Sequence, residues 1–243
     1  MARPASAVAM QRNDGARPPD GRGRPAHLSR DRIIQGAIAL LDAEGPAGLS
    51  MRRLADTLDA GAMSLYWYVP AKDALLQLAA DAVLAEVRRH DLPEDWRGAS
   101  RHLAHDLRRV MRRHPWLALL LTTQPNLGPN GLALVETMLA TLTRAGLTGT
   151  GLDTAMTTLY GYVLGLAIGE TLWDTANREP LQPTGGVDPE TAPERPLLTA
   201  FLASTSAIAS DDRFAAGLDL VLDGIAAKRP DHPAGDDHPT NHA

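Results

Sequence analysis

The stretch from Leu49 to Lys72, LSMRRLADTLDAGAMSLYWYVPAK, constrains this chain more than any other. Ser50 is placed to cap a helix running to Leu58, because its hydroxyl can accept a free backbone N–H of the first turn. Leu54, Ala55 and Leu58 recur at helical spacing and give that helix one apolar face. Asp59-Ala60-Gly61 breaks it, with Gly61 free to take a positive φ. A second helix is predicted from Ala62 to Tyr68, since Pro70 disfavours continuation past Val69. Two short helices joined by so tight a turn form a helix-turn-helix, whose second helix can lie in the DNA major groove.

The second helix concentrates aromatic residues. The chain holds four Trp, four Tyr and two Phe, and three of these ten are consecutive: Tyr66, Trp67 and Tyr68. Neighbours on a helix point about 100° apart, so the three cannot share one core. Leu65 and Trp67 are read as packing residues, and Tyr66 and Tyr68 as DNA contacts. Trp67, lying between the tyrosines, stays in the set of candidate contacts. An exposed Tyr on a helix that opens with small residues (Ala62, Ser64) suits phosphates and thymine methyls. The alternative is that all three aromatics pack, one in the core and two on neighbouring helices.

The run Gly48-Leu49-Ser50-Met51-Arg52-Arg53-Leu54-Ala55, then Leu65-Tyr66-Trp67-Tyr68-Val69, then Lys72-Asp73-Ala74-Leu75-Leu76, resembles the DNA-binding domain of the tetracycline-repressor (TetR) family. The preceding Ile33–Leu41 segment and Glu44-Gly45 fit as well. The similarity covers roughly residues 29–87; beyond it the chain matches only in helical pattern and length. The resemblance implies an all-α fold, with an N-terminal three-helix DNA-binding domain and a larger C-terminal helical domain for ligand binding and dimerisation. It also implies DNA contacts at the first turn of the second helix, the start of the third and the Lys beyond it. Here those are Ser50, Met51, Arg52, Ala62, Met63, Ser64, Tyr66, Tyr68 and Lys72. Ala62 and Met63 are apolar where a bidentate base reader would be polar, so hydrogen-bond readout should be sparse. Specificity would then rest on Arg52, methyl contacts and DNA shape.

The formal net charge of −5 runs against DNA binding until its distribution is considered. Residues 1–32 hold seven Arg and three Asp, 7 − 3 = +4, and local charge governs phosphate contact. Residues 1–27, rich in Ala, Arg, Pro and Gly, are expected to be a disordered basic arm. Within it Gly21-Arg22-Gly23-Arg24-Pro25 can enter a minor groove, with Arg24 the candidate contact, or serve only as a solubilising tail. Cysteine is absent, which excludes thiolate chemistry and fits a cytoplasmic protein. No apolar run is long enough to span a bilayer, and no signal-peptide core is present at the start.

The expected organisation is an arm (1–27), a DNA-binding domain (28–72), a connecting helix (73–89), a ligand-binding and dimerisation domain (90–229) and a tail (230–243). The first helix should start at Ser29 and close at Gly45-Pro46, and the connecting helix should run from Lys72 to Arg89. Further helices are predicted over 95–114, 116–121, 129–145, 150–177, 196–207 and 212–227, with a Pro/Gly loop over 178–196. Arg108, Arg109, Arg112 and Arg113 read as the wet face of one helix. In the 150–177 helix Gly161, Gly165 and Gly169 fall at i, i+4, i+8. Each costs about 1 kcal/mol relative to Ala, which close approach of another helix would offset; ordinary packing within the chain is the alternative. The resemblance adds Leu218, Leu222 and Ile225 of the last helix as dimer contacts.

For an effector pocket the resemblance directs attention to residues 96–207, where aromatic and Met side chains are the best candidates. They are Trp116, Met138, Met156, Tyr160 and Trp173, with Leu103, Leu107, Leu120 and the polar Gln124. His102, His105 and Asp106 form the one cluster from which an enzyme or a metal pair could be built, but no third ligand at a convincing spacing accompanies them. No Gly-rich phosphate loop or nucleophile elbow is present. The expectation is a non-enzymatic regulator without cofactor or metal. It would bind a palindromic DNA operator as a homodimer and release it on binding a small apolar effector. A helical interaction protein without DNA binding is the competing reading.

Overall fold

Ser29 caps the first helix: its hydroxyl accepts the Arg32 N–H at 3.2 Å, and α1 (Arg30–Gly48) follows. The computed structural model describes residues 28–123, 128–178, 195–198, 200 and 209–229, with 173–178 as backbone only. Ile33, Ala37, Ile38 and Leu41 give α1 a buried stripe. At Gly45 φ reaches +69°, so the helix breaks where expected, and Pro46 opens one last turn. Ser50 then caps α2 (Met51–Thr57), its hydroxyl accepting the Arg53 N–H at 3.2 Å.

The turn into α3 (Ala62–Tyr66) departs from expectation. Asp59, with φ at 51°, takes the left-handed conformation, while Gly61 is extended at φ −72° and ψ 135°. A short polar side chain tolerates this region. Also, α3 is two residues shorter than predicted. The N–H groups of Tyr68 and Val69 both reach back to the Leu65 carbonyl, and this tightening turns Val69 into the core with no exposed surface.

The linking helix α4 (Lys72–Leu84) stops five residues before the predicted Arg89. The reason is tertiary. The Arg88 N–H, which would have bonded the Leu84 carbonyl, donates to Asp106 Oδ2 at 2.6 Å. Asp106 lies on α5 (Trp96–Arg113), which Asp95 caps by accepting the Gly98 N–H. Then come α6 (Pro115–Thr123), α7 (Pro129–Thr143), α8 (Gly149–Arg178) and α9 (Ser210–Ala227). Gly146, at φ 83°, lies just beyond α7, one residue past the predicted end of that helix.

Helix α4 packs against α1 on one side and α5 and α7 on the other; α8 packs against α5, α6, α7 and α9. One hydrophobic cluster runs from Ile33 to Ile225 through all of them. Polar contacts fasten the two ends of the molecule together. The Trp116 indole N–H donates to Asp42 of α1 at 2.7 Å. The buried His114 ring lies between Asp42 (2.8 Å) and Glu86 (3.3 Å). Asp81 of α4 accepts the Asn130 and Gly131 N–H groups at 2.9 and 3.0 Å and so serves as a remote cap for α7.

Among the described residues the fold is all-α, and no helix is long and apolar enough to cross a membrane. The arm over 1–27 with Arg24, Gln124, the Trp173 side chain, most of 178–207 and the tail beyond 229 lie outside the described residues.

Candidate nucleic-acid interface

The geometry of α3 follows from which residue is buried. Leu65 and Val69 are fully buried. Successive side chains turn by about 100°, so Tyr66 and Tyr68 flank that inward direction and Trp67 points away from it. Exposures follow this order: Tyr66 45%, Tyr68 44%, Trp67 88%. The packing role read for Trp67 is therefore corrected; it is the most outward aromatic of the three. Met63 is 75% exposed, and Ser64 is exposed beside it. A concavity of about 410 Å³ lies alongside, lined by Leu28, Ala60, Gly61, Ser64, Trp67 and Tyr68.

On α2, Arg52 is exposed, and its neighbour Arg53 pairs with Glu44. The exposed Ser50 spends its hydroxyl oxygen on the cap, leaving the hydroxyl proton available. Met51 corrects a second expectation. It shares a face with Leu54, Ala55 and Leu58 and is buried, so its side chain is core and not a DNA contact. The Lys72 ammonium donates to the Pro46 carbonyl at 2.9 Å, which leaves two N–H bonds and the charge to offer. Tyr68 donates its hydroxyl to the Leu28 carbonyl at 3.0 Å. The outward set is thus Arg52, Ser64, Tyr66 and Trp67, with Met63 and the half-buried Ala62 at the helix start. It offers methyl and ring contacts, hydroxyl donors and a guanidinium, a combination that fits a groove wall and its phosphates.

In the C-terminal half, Leu103 and Leu107 of α5, Trp116 and Leu120 of α6 and Met138 of α7 are buried, with Met156 and Tyr160 of α8 half-buried, in one shared core. Burial pushes the Tyr160 phenol above its ordinary range. Trp116 faces α1 through its bond to Asp42.

The arginine run of α5 does not form one wet face. Arg108 is buried at 4% exposure, pairs with Glu170 (2.6 Å) and Asp211 (2.9 Å), and stacks on Phe214 at 4.5 Å. The trio considered for catalysis does not assemble a free base. Burial works to raise the Asp106 carboxyl, but hydrogen bonds from Arg109 and Arg88 hold it well below the usual carboxylate range. The His105 ring packs edge-on against Phe214. Among the described residues no group of three His, Cys, Asp or Glu could hold a metal ion.

Gly161, Gly165 and Gly169 lie along an open stripe of α8, where an added Cβ would meet nothing within 4 Å. Leu218, Leu222 and Ile225 correct a third expectation. They are buried within the protomer, because that face of α9 packs against α8. The open face of α9 instead presents Leu220, 74% exposed, and Gly224. Both border a largely apolar groove of about 650 Å³ whose α8 wall includes Gly151, Thr154 and Thr158.

Two family models match the chain: "Bacterial regulatory proteins, tetR family" over residues 33–79 and "Tetracyclin repressor-like, C-terminal domain" over 90–229. An HTH-type transcriptional regulator of Saccharopolyspora erythraea is 43% identical over 150 residues, which span 60% of this chain and 62% of that protein. The HTH-type transcriptional repressor DrrR1 of Streptomyces coeruleorubidus is 36% identical over 228 residues, covering 87% of this chain and 81% of its own. Among solved structures, Streptomyces coelicolor ActR in complex with actinorhodin superposes with a TM-score of 0.71 at 31% identity, over 85% of this chain and 99% of that one. BioQ with its double-stranded DNA operator gives 0.60 at 26% identity, over 83% and 99%. The chain belongs to the TetR family of DNA-binding, ligand-responsive transcriptional regulators, which are not enzymes.

Proposed function

We propose that this regulator is a repressor that binds a palindromic operator as a homodimer in the cytoplasm and releases it when a small, largely apolar effector enters the C-terminal core. The outward face of α3 carries the reading. Tyr66, Trp67 and Met63 are held outside while Leu65 and Val69 anchor the helix from beneath. The DNA contacts are Arg52, Ser64, Tyr66 and Trp67, with Ser50, Ala62, Met63 and Lys72 at the margin. The similarity to a named repressor supports repression, and the similarity to an operator-bound structure supports operator binding.

The dimer is formed by the open glycine stripe of α8 together with Leu220 and Gly224 of α9 against their symmetry mates. Two-fold symmetry then sets two α3 helices about one DNA turn, ~34 Å, or somewhat more apart. The effector occupies the core bounded by Leu103, Leu107, Leu120, Met138, Met156 and Tyr160, and the ActR–actinorhodin complex supports a small-molecule effector for this chain too. Occupancy is transmitted through α4, which Asp81 fastens to α7. The effector shifts the balance by no more than its differential affinity for the two arrangements.

A mobility-shift assay with DNA from upstream of the protein's own gene tests the first step. Specific binding that Tyr66→Ala and Lys72→Ala abolish, with the dimer intact in sedimentation, is the expected result. Absence of specific binding at moderate salt refutes the reading.

A further inference from the structure

His102, His105 and Asp106 assemble neither a free base nor a metal site, yet they share a stripe of α5 that operator and effector binding leave unused. Gly98, Arg101, His102, His105 and Arg109 recur at i, i+3, i+4, i+7 and i+11, on one side of the helix. That side faces the junction between α4 and α5, which contributes Arg88 and Pro93. Together with the buried Asp106 they line an open concavity of about 430 Å³. Leu103 and Leu107, which bound the effector core, belong to the buried side of the same helix.

The lining is rich in donors. Arg88, Arg101 and Arg109 against Asp106 give it 3 − 1 = +2 with both histidines neutral. Asp219 of α9 offsets part of this through Arg101, and Asp95 is turned to the Gly98 N–H. Asp106 takes the backbone N–H, Nε and Nη2 of Arg88 and the Nε and Nη2 of Arg109. Those donors saturate the roughly four lone-pair sites of a carboxylate. Nη1 of Arg88, Nη1 of Arg109, and Nε and Nη1 of Arg101 meet no acceptor among the described residues. The second observation is His102. Its Nε2 is enclosed and has no hydrogen-bond partner among the described residues, which is destabilising unless an acceptor or donor reaches it. The χ2 torsion of a histidine is soft, so the ring can turn that nitrogen to a ligand in the concavity. Burial first, then Arg108 and Arg101, lower the His105 pKa, which leaves that ring neutral with one N–H to donate.

We infer that the α4–α5 junction is a phosphate site, separate from the effector core, in which Arg88, Arg101 and Arg109 supply guanidinium N–H groups and His102 and His105 supply imidazole N–H groups. Guanidinium forks match phosphate oxygens, and donors arriving from the junction and from three turns of α5 suit a tetrahedral dianion better than a carboxylate. Phosphate bound there ties the end of α4 to α5 through Arg88. The inference goes beyond operator binding and does not depend on it.

Isothermal titration calorimetry of the full chain without DNA, at fixed pH and ionic strength, tests it with inorganic phosphate, glycerol phosphate and acetate. Both phosphates should bind saturably, once per protomer, and acetate far more weakly. Whichever phosphate binds tighter shows whether the free ion or an ester is the natural ligand, and either order supports the site. Arg101→Gln and His102→Phe leave both arginine partners of Asp106 in place, and thermal melts confirm that each protein is folded. Arg101→Gln should weaken phosphate binding about tenfold and His102→Phe about threefold or more. Arg112→Gln, on the same helix but outside the concavity, should bind like the parent. No saturable heat with either phosphate overturns the inference. So do acetate binding as tight as phosphate, an equal loss in Arg101→Gln and Arg112→Gln, or a His102→Phe protein that binds like the parent.

Discussion

Along α2, Arg52 points to solvent with no hydrogen bond or ion pair among the described residues, whereas α5 commits each of its six arginines to a carboxylate. Arg97 and Arg101 reach Asp223 and Asp219 of α9; Arg108 and Arg112 share Asp211 at its start; Arg109 and Arg113 hold Asp106 and Glu86. One helix keeps a charge available for a partner, and the other uses charge to fasten α9 and the α4–α5 link. Exposed pairs of this kind are each worth about 0–1 kcal/mol. Two sites differ: the Asp106 carboxylate is buried beneath Arg88 and Arg109, and the Arg108 guanidinium is buried and fills the space between Glu170, Asp211 and the Phe214 ring.

The largest test of this contrast is Arg108→Ala. It should destabilise the fold by about 3 kcal/mol, since it leaves Glu170 short of its partner in a largely dry site. Arg112→Ala, which removes an exposed partner of the same Asp211, should cost under about 1 kcal/mol. Urea unfolding at fixed protein concentration reads both. Equal losses would mean that Arg108 is one more surface charge.

Arg108 also shows where the sequence stops being readable. On α5 it sits among Arg109, Arg112 and Arg113, and nothing local separates it from them. Its partners, Glu170 and Asp211, lie 62 and 103 residues away. The early end of α4 has a similar origin, in a carboxylate 18 residues beyond Arg88. Local chemistry, by contrast, was legible. Ser50 caps as expected and the first helix starts at Ser29, Gly45 breaks that helix where its Gly-Pro pair predicted, and the helix-turn-helix stands where its spacing placed it. Two side chains in and beside the helix-turn-helix follow from helical geometry alone. Counting about 100° per residue from Leu54 and Leu65 turns Met51 inward and Trp67 outward, as their 8% and 88% exposures show. The burial of Leu218, Leu222 and Ile225 within the protomer is not legible in that way, because periodicity gives a helix an apolar face without saying which helix covers it.

Acid should loosen the α5 seams. Burial tends to raise the Glu170 and Asp106 carboxyls, but both are held below their ordinary range by arginine hydrogen bonds; Asp211 and Asp219 are held low first of all by Arg108 and Arg101. A carboxylate whose folded pKa is depressed stabilises the fold above its unfolded pKa, near 4, and loses that contribution as pH falls through the folded value. Stability should therefore hold above about pH 5 and decline below about pH 4. The first amides to lose hydrogen-exchange protection should lie in α9. Initial loss in α1–α3 would reverse the comparison.

Met51 and Met63 restate it with uncharged side chains. Met51→Ala should cost about 2 kcal/mol of stability, the low end for a buried Met, and leave operator affinity of the folded protein unchanged. Met63→Ala should shift stability by under about 0.5 kcal/mol and weaken operator binding. The opposite pattern in melts and mobility shifts would return Met51 to the DNA contacts and place Met63 in the core.

The finest test lies within α2 itself, between adjacent arginines. Arg53 is paired with Glu44 across the end of α1, both half-exposed, so Arg53→Ala should change stability by less than about 1 kcal/mol and leave DNA affinity alone. Arg52 has no such partner to lose, so Arg52→Ala should leave the melt untouched. Its guanidinium stands on the exposed side of α2, next to the α3 face, where a base edge or phosphate would supply the missing acceptor. Removing it should weaken operator binding by about tenfold, and the salt slope says which acceptor it meets. A slope reduced by about one identifies a phosphate. An unchanged slope with relaxed preference for the operator identifies a base. If Arg53 rather than Arg52 carries the tenfold loss, the Glu44 pair opens on DNA, and the contrast between a helix that keeps its charge free and one that commits it no longer holds.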